Sequence, residues 1–223
     1  MKQFSFTIAL IIILQTIVCA QSTETFRRWH FGAMLGPNFT MYVPKSAGYD
    51  AVPGFMTGVD IGYSLQNSPK GWSLHLQPYF VGSRSSTEIK GTDAYSKTKS
   101  KTRTINLPLL VRYTMTGGKV RPFAEIGAVW NAWNRWYFKS RICDNAGCYD
   151  IGGDWDTVSN SDRKFSALAS AGVQVDVGKV TIPITVRVLQ LLKKKETFYE
   201  PFSGTELTIP TVRTIQVTTG ITF

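Results

Sequence analysis

Residues 105–113 read Ile105-Asn106-Leu107-Pro108-Leu109-Leu110-Val111-Arg112-Tyr113. Every odd position is apolar, while Asn106 and Arg112 fall among the even ones. Successive side chains of a strand point to opposite faces, whereas a helix would mix these two sets on one surface. The segment therefore reads as a strand with one wholly apolar face.

The same alternation recurs in both directions along the chain. Residues 29–41 set Phe31, Ala33, Leu35 and Phe39 against His30, Gly32, Asn38 and Thr40. Residues 55–65 set Val59, Ile61 and Tyr63 against Gly58, Asp60 and Gly62, and residues 72–80 set Trp72, Leu74, Leu76 and Phe80 against Ser73, His75, Gln77 and Tyr79. Residues 120–130 set Ala124, Ile126 and Ala128 against Arg121 and Glu125. Residues 165–177, 180–188 and the run ending at Phe223 repeat the pattern, with Asp176 and Arg187 on the polar side. Eight strands result. Each is about nine to thirteen residues long, which matches the about 9–11 that a tilted strand needs to cross a bilayer. Strands of soluble proteins average about five or six.

The connections alternate as well. Residues 66–71, 116–119 and 178–179 are short turns; residues 42–54, 81–104, 131–164 and 189–211 are long. Short turns at one end and long loops at the other is the plan of an up-and-down β-barrel of the outer membrane. A secreted β-sandwich would share the period of two. Strand length and loop asymmetry favour the barrel. So do Trp29, Trp72, Tyr113, Trp130, Trp133 and Phe223, which lie near strand ends where an interfacial girdle sits. The expected fold is an all-β, eight-stranded antiparallel transmembrane barrel. An even strand number puts both ends of the chain in the periplasm and the long loops outside the cell.

The chain has 223 residues, 43% hydrophobic and 18% charged, with a net charge of +10. Near-neutral hydropathy excludes a polytopic helical membrane protein, and the aromatic and β-branched content excludes a disordered chain. Residues 1–20 have a basic start at Lys2, an apolar stretch and small residues before Gln21. That is a secretory signal peptide cleaved after Ala20. Residues 21–223 then form the barrel domain.

Four stretches resemble a known family: Gly32-Ala33-Met34-Leu35-Gly36-Pro37-Asn38, Leu76-Gln77-Pro78, Ile105-Asn106-Leu107-Pro108-Leu109-Leu110, and Arg121-Pro122-Phe123-Ala124-Glu125-Ile126-Gly127. Their order and spacing are similar to the PorT-like outer-membrane β-barrel family. The resemblance implies an outer-membrane location and no single activity; some members are linked to protein secretion or gliding. Phe223 is similar to the terminal aromatic that such barrels present to the outer-membrane insertion machinery.

Candidates for chemistry are few. Asp60, Arg112, Arg121, Glu125, Asp176 and Arg187 share the polar face and are expected to form a network of ion pairs filling the lumen, because buried charges need partners. Pairing strands about residues 116–119 sets Leu110 opposite Glu125, which makes Arg112 and Glu125 diagonal neighbours. Only His30 and His75 are histidines, both on the polar face. Neither has the spacing of a catalytic group or a metal ligand, so no catalytic residue, cofactor or metal is expected. Cys143 and Cys148, in an exported chain, read as a disulfide. The loop holding them is dense in aromatics: Trp133, Trp136, Tyr137, Phe138 and Trp155. Residues 81–104 and Lys193-Lys194-Lys195 carry concentrated positive charge. In an exported chain without a binding motif this reads as contact with anionic lipopolysaccharide or acidic surface glycans, or equally as simple solubility of surface loops, and points away from nucleic acid. The function expected is a non-enzymatic barrel with a structural, adhesive or secretion-accessory role through its long extracellular loops, with membrane lipid, lipopolysaccharide and a secretion or surface partner as candidate contacts. A small pore is the alternative, and an enzyme on lipid or peptide is third.

Overall fold

In hydrocarbon no unpaired backbone group is tolerated, so a sheet with an apolar face must close on itself. The computed structural model describes residues 26–43, 51–90, 95–115, 117–144, 147–157, 165–192, 197–199, 206–208 and 211–223. The expected signal peptide, its expected Ala20/Gln21 junction and the lysine run at 193–195 lie outside the described residues. The strands are β1 (Trp29–Val43), β2 (Val52–Ser64), β3 (Gly71–Leu76), β4 (Tyr79–Lys90), β5 (Tyr95–Thr114) and β6 (Val120–Asp144). There follow β7 (Gly147–Thr157), β8 (Phe165–Val177), β9 (Val180–Leu191), β10 (Thr197–Tyr199), β11 (Glu206–Thr208) and β12 (Thr211–Thr222).

Closure is direct: β1 pairs antiparallel with β2 on one side and with β12 on the other. The circuit runs β1, β2, then β3 with β4, β5, β6, then β7 with β8, β9, β12 and back to β1. β3 and β4 share one position because Gln77-Pro78 interrupts them. Proline has no N–H for the ladder, but its carbonyl still accepts from Val59 N at 3.0 Å. β7 and β8 likewise share one position along β6. That makes eight positions around the barrel, all antiparallel. β10 and β11 form a separate small hairpin.

Facing follows the sequence alternation. Leu109 is 61% exposed and Leu110 is fully buried, one residue apart on β5. Trp29, Trp72, Tyr113 and Phe223 are exposed at the turn end, and Trp130 and Phe165 at the other. Trp29 meets Tyr63 and Trp72 meets Tyr113, each at 4.9 Å between ring centroids. From Trp29 to Phe39 the strand rises about 33 Å, or about 25 Å along the barrel axis at a tilt of about 40°, which is the height of an outer-membrane apolar band. Inside, two apolar clusters fill the upper lumen: Met34, Met56, Tyr79 and Val81, and Leu110, Val129, Leu168 and Leu189.

Two expectations need correction. Much of 81–104 and 131–164 is strand and not loop: β4 runs to Lys90, β5 starts at Tyr95, β6 runs to Asp144, and β7 follows at Gly147. These strands rise past the apolar band as an extension. In Lys97-Thr98-Lys99-Ser100-Lys101-Thr102-Arg103-Thr104 the period of two persists, but between cations and hydroxyls. The second correction is register. Met115 N donates to Pro122 O at 2.9 Å, and Arg112 lies directly opposite Glu125 rather than diagonal to it. The β5–β6 ladder therefore closes at Met115 and Pro122, while Val120 and Arg121 of β6 pair with β8 instead.

Candidate functional site

Alternation on β2, β3, β5, β6 and β9 aims a set of polar side chains at one level of the lumen. Arg112 Nε donates to Glu125 Oε1 at 2.7 Å, and its Nη2 reaches Asp60 Oδ2 at 3.4 Å. Glu125 Oε2 accepts from the Ser170 hydroxyl at 2.5 Å and lies 3.7 Å from Arg187 Nη2. Asp60 Oδ1 is 2.8 Å from His75 Nδ1, and His75 Nε2 is 3.0 Å from Ser73 Oγ. The Arg112 guanidinium also lies over the Phe123 ring, 4.5 Å from its centroid. Asp60, His75, Arg112, Glu125 and Arg187 are all buried. Two carboxylates thus sit among two guanidinium groups, which balances charge where water is scarce.

Of the six charges expected to form one network, the structure brings together Asp60, Arg112, Glu125 and Arg187. Arg121 and Asp176 form a separate pair nearer the turns, 2.5 Å apart and joined by Thr181, which donates to Asp176 at 2.6 Å. His75 is the member that charge counting missed. Its signal was its place on the polar face of its strand opposite Gly62: a Cβ on Gly62 would lie 2.6 Å from His75 Cε1, so glycine makes room for the ring. His30 instead contacts Ser64 Oγ at 2.8 Å.

Ser73, His75 and Asp60 have the connectivity of a nucleophile, a base and an orienting acid. Two features distinguish them from a catalytic triad. Asp60 is also held by Arg112, and the adjoining cavity is about 50 Å³, space for about three to five waters. Among the described residues no three His, Cys, Asp or Glu side chains gather as a metal site. Large side chains occupy the interior: Arg187, Phe123, Met56, Leu110, Gln77, Gln216 and Glu125 are all fully buried. An eight-stranded barrel is just wide enough for side chains to fill.

Above the membrane band, β6 and β7 are joined near their tip by the Cys143–Cys148 disulfide, between directly paired residues. Arg141 and Lys139 both bond Asp150 there, at 2.8 and 2.9 Å. The Asp150 carboxyl is held well below its usual range, first by the Arg141 hydrogen bond and then by Lys139. Of the aromatics in this segment, Trp136 and Phe138 stack at 5.4 Å on the face shared with Thr102 and Ser100. Tyr137 is on the opposite face, with Lys101 Nζ 5.0 Å from its ring centroid.

A closed antiparallel barrel, apolar outside, with a charged and packed interior and aromatic rims, defines an outer-membrane β-barrel protein. Residues 19–190 match the family model described as the outer membrane protein beta-barrel domain, and the chain belongs to that family. No curated protein matches the chain. It is similar to the solved structure of Neisserial surface protein A, at 14% identity over 88% of this chain and 96% of that one, with a TM-score of 0.49. It is also similar to Ail, the attachment invasion locus protein of Yersinia pestis, solved with the heparin analogue sucrose octasulfate: 13% identity, 88% and 100% coverage, TM-score 0.43. A third is the N-terminal β-barrel domain of Pseudomonas aeruginosa OprF, at 11% identity, 86% and 97% coverage, TM-score 0.38.

Proposed function

We propose that this protein is a non-conducting, non-enzymatic anchor of the outer membrane that holds a stiff β-sheet extension at the cell surface, in a structural, adhesive or secretion-accessory role. The observation that carries this is the pairing of a plugged lumen with strands β4 to β7 that continue beyond the lipid band. A pore would need an open interior, and the Arg112–Glu125 level supports none. In this reading the termini and short turns face the periplasm, Phe223 meets the insertion machinery, and the extension meets membrane glycolipid and a surface or secretion partner. The narrower kinship with the PorT-like group rests on the four stretches quoted above and belongs to the same proposal.

A small pore is the second reading, and it draws on the polar cavity bordered by His30, His75, Arg112 and Arg121. Planar-bilayer recording of the purified full chain separates the two. The anchor predicts no steady open channel. A reproducible steady conductance at modest voltage would reject it in favour of the pore.

A further inference from the structure

Arg187 is a buried charge whose donors are only partly used. Its Nη2 lies 3.7 Å from Glu125 Oε2, an oxygen that already accepts from Ser170. Its Nε and Nη1 have no hydrogen-bond partner among the described residues. The same holds around it. Gln216, directly opposite Arg187 on β12, gives its Nε2 to Asn38 Oδ1 at 2.8 Å and leaves Oε1 without a partner among the described residues. The Tyr79 hydroxyl comes close to Gln216 and Arg187 without a hydrogen bond of ordinary geometry to any described residue. Gln77, two residues before Tyr79 on the same inward face, pairs neither its Oε1 nor its Nε2 among the described residues. All four side chains are at most 2% exposed. Buried polar groups left unpaired cost stability, and native proteins rarely keep them so.

The chemistry of these atoms selects their ligand. Arg187 Nε and Nη1 only donate, Gln216 Oε1 and Gln77 Oε1 only accept, and the Tyr79 hydroxyl does either. Turning the Gln77 amide over exchanges its two unpaired atoms and alters nothing. An anion would satisfy the arginine and leave both glutamine oxygens unpaired. Charge gives it no place either, because Asp60 and Glu125 already match Arg112 and Arg187 at this level. Water both donates and accepts. We propose that about two or three water molecules are bound in the middle of the lumen, joining Arg187, Gln216, Tyr79 and Gln77. A buried water makes about three hydrogen bonds, and a water bridge is nearly as good as a direct bond. The waters reach the site from the turn end, where the cavity borders Arg112, Arg112 holds Glu125, and Glu125 meets Arg187. Toward the loop end, the next inward residues after Arg112, Ser170 and Arg187 are Leu110, Leu168 and Leu189, which pack into one apolar cluster above the waters. The lumen is then filled by side chains and bound water together. This concerns the interior alone and holds whichever end of the barrel faces out.

Nuclear magnetic resonance of the full chain, folded in lipid nanodiscs, tests this at the Arg187 Nε–H proton, assigned by through-bond correlation to its backbone. The expected result is a nuclear Overhauser cross-peak from that proton to water, with the sign of bound water. The resonance should not move when chloride is exchanged for a bulky organic anion. Tyr79→Phe should keep the cross-peak, because Gln216 still holds the water, and Gln216→Met should weaken it. Both variants are checked for the heat-modifiable fold, and if Gln216→Met fails to fold, the wild type and Tyr79→Phe decide. No cross-peak in the wild type means a dry site and overturns the proposal. Loss of the cross-peak in Tyr79→Phe would trace it to the hydroxyl proton, and a resonance that moves with chloride would assign the site to an anion; either result overturns it. So does an unchanged cross-peak in folded Gln216→Met.

Discussion

Removing Glu125 should be the most damaging single change in the lumen. Its carboxylate serves two cations: Arg112 at 2.5–2.7 Å and Arg187 at 3.7 Å, with Ser170 as a further donor. Glu125→Ala leaves Arg112 one longer contact to Asp60, at 3.4 Å, and takes from Arg187 its carboxylate partner. Breaking a buried pair by removing one partner costs about 3–5 kcal/mol, because a buried charge stays uncompensated. Arg112→Ala should cost somewhat less. It strands two carboxylates, but Asp60 keeps His75 and Glu125 keeps Ser170 and Arg187. The double variant should cost less than the sum by about 1–3 kcal/mol, the usual coupling of residues in one network. The assay is denaturant unfolding in lipid vesicles followed by tryptophan fluorescence, with all four members of the cycle. Additive losses would refute the direct Arg112–Glu125 contact. A conductance that appears only in the double variant would mean the pair plugs a latent pore.

Other outcomes follow from the same geometry. Leu109→Arg should destabilise the inserted barrel by about 2–4 kcal/mol near the midplane, while Asn106→Ser on the inward face should change little; equal tolerance at both, in the same unfolding assay, contradicts the facing. Native protein should show no alkylatable thiol at Cys143 or Cys148 without reduction, and Cys148→Ser should leave the barrel heat-modifiable, because the bridge lies beyond the membrane band. Gly62→Ala should push the His75 ring off Asp60, read as a changed histidine ring signal by NMR with the fold retained. The Asp150 pairs should protect the β6–β7 tip from hydrogen exchange above pH 3.8 and lose that protection as pH falls further. The carboxyl titrates lower in the folded tip than in the open one, so protonation favours opening; protection that rises on acidification contradicts the pairing.

The barrel was legible because lipid imposes a hydropathic contrast on alternate positions, and Leu109 beside Leu110 still read correctly from the flanking odd residues. The extension was less legible because its contrast is between lysine and threonine, both polar, and a search for apolar alternation stops at Ile105. Register depends on where a hairpin closes. Thr116-Gly117-Gly118-Lys119 looks like the whole turn, yet the strands first meet again at Met115 and Pro122. The charged residues of the lumen were identifiable by face. Their partition was not, because proximity across a tilted barrel depends on stagger, which separates Arg121 and Asp176 from the other four. His75 is not legible as a partner for Asp60, because an isolated histidine on a polar strand face reads equally as a catalytic or metal residue.

That the strands of a lipid-embedded barrel continue as an ordered sheet beyond the membrane can be read from spin labels placed singly at each position from 97 to 113 in β5, with accessibility to oxygen and to a water-soluble nickel complex measured in lipid. A period of two is expected throughout. Oxygen should dominate at the odd positions of 105–113 with a maximum near Leu109, then give way to nickel at 103, 101, 99 and 97 while the period persists. Equal accessibility of odd and even positions below 105, or loss of the period above it, would contradict the account.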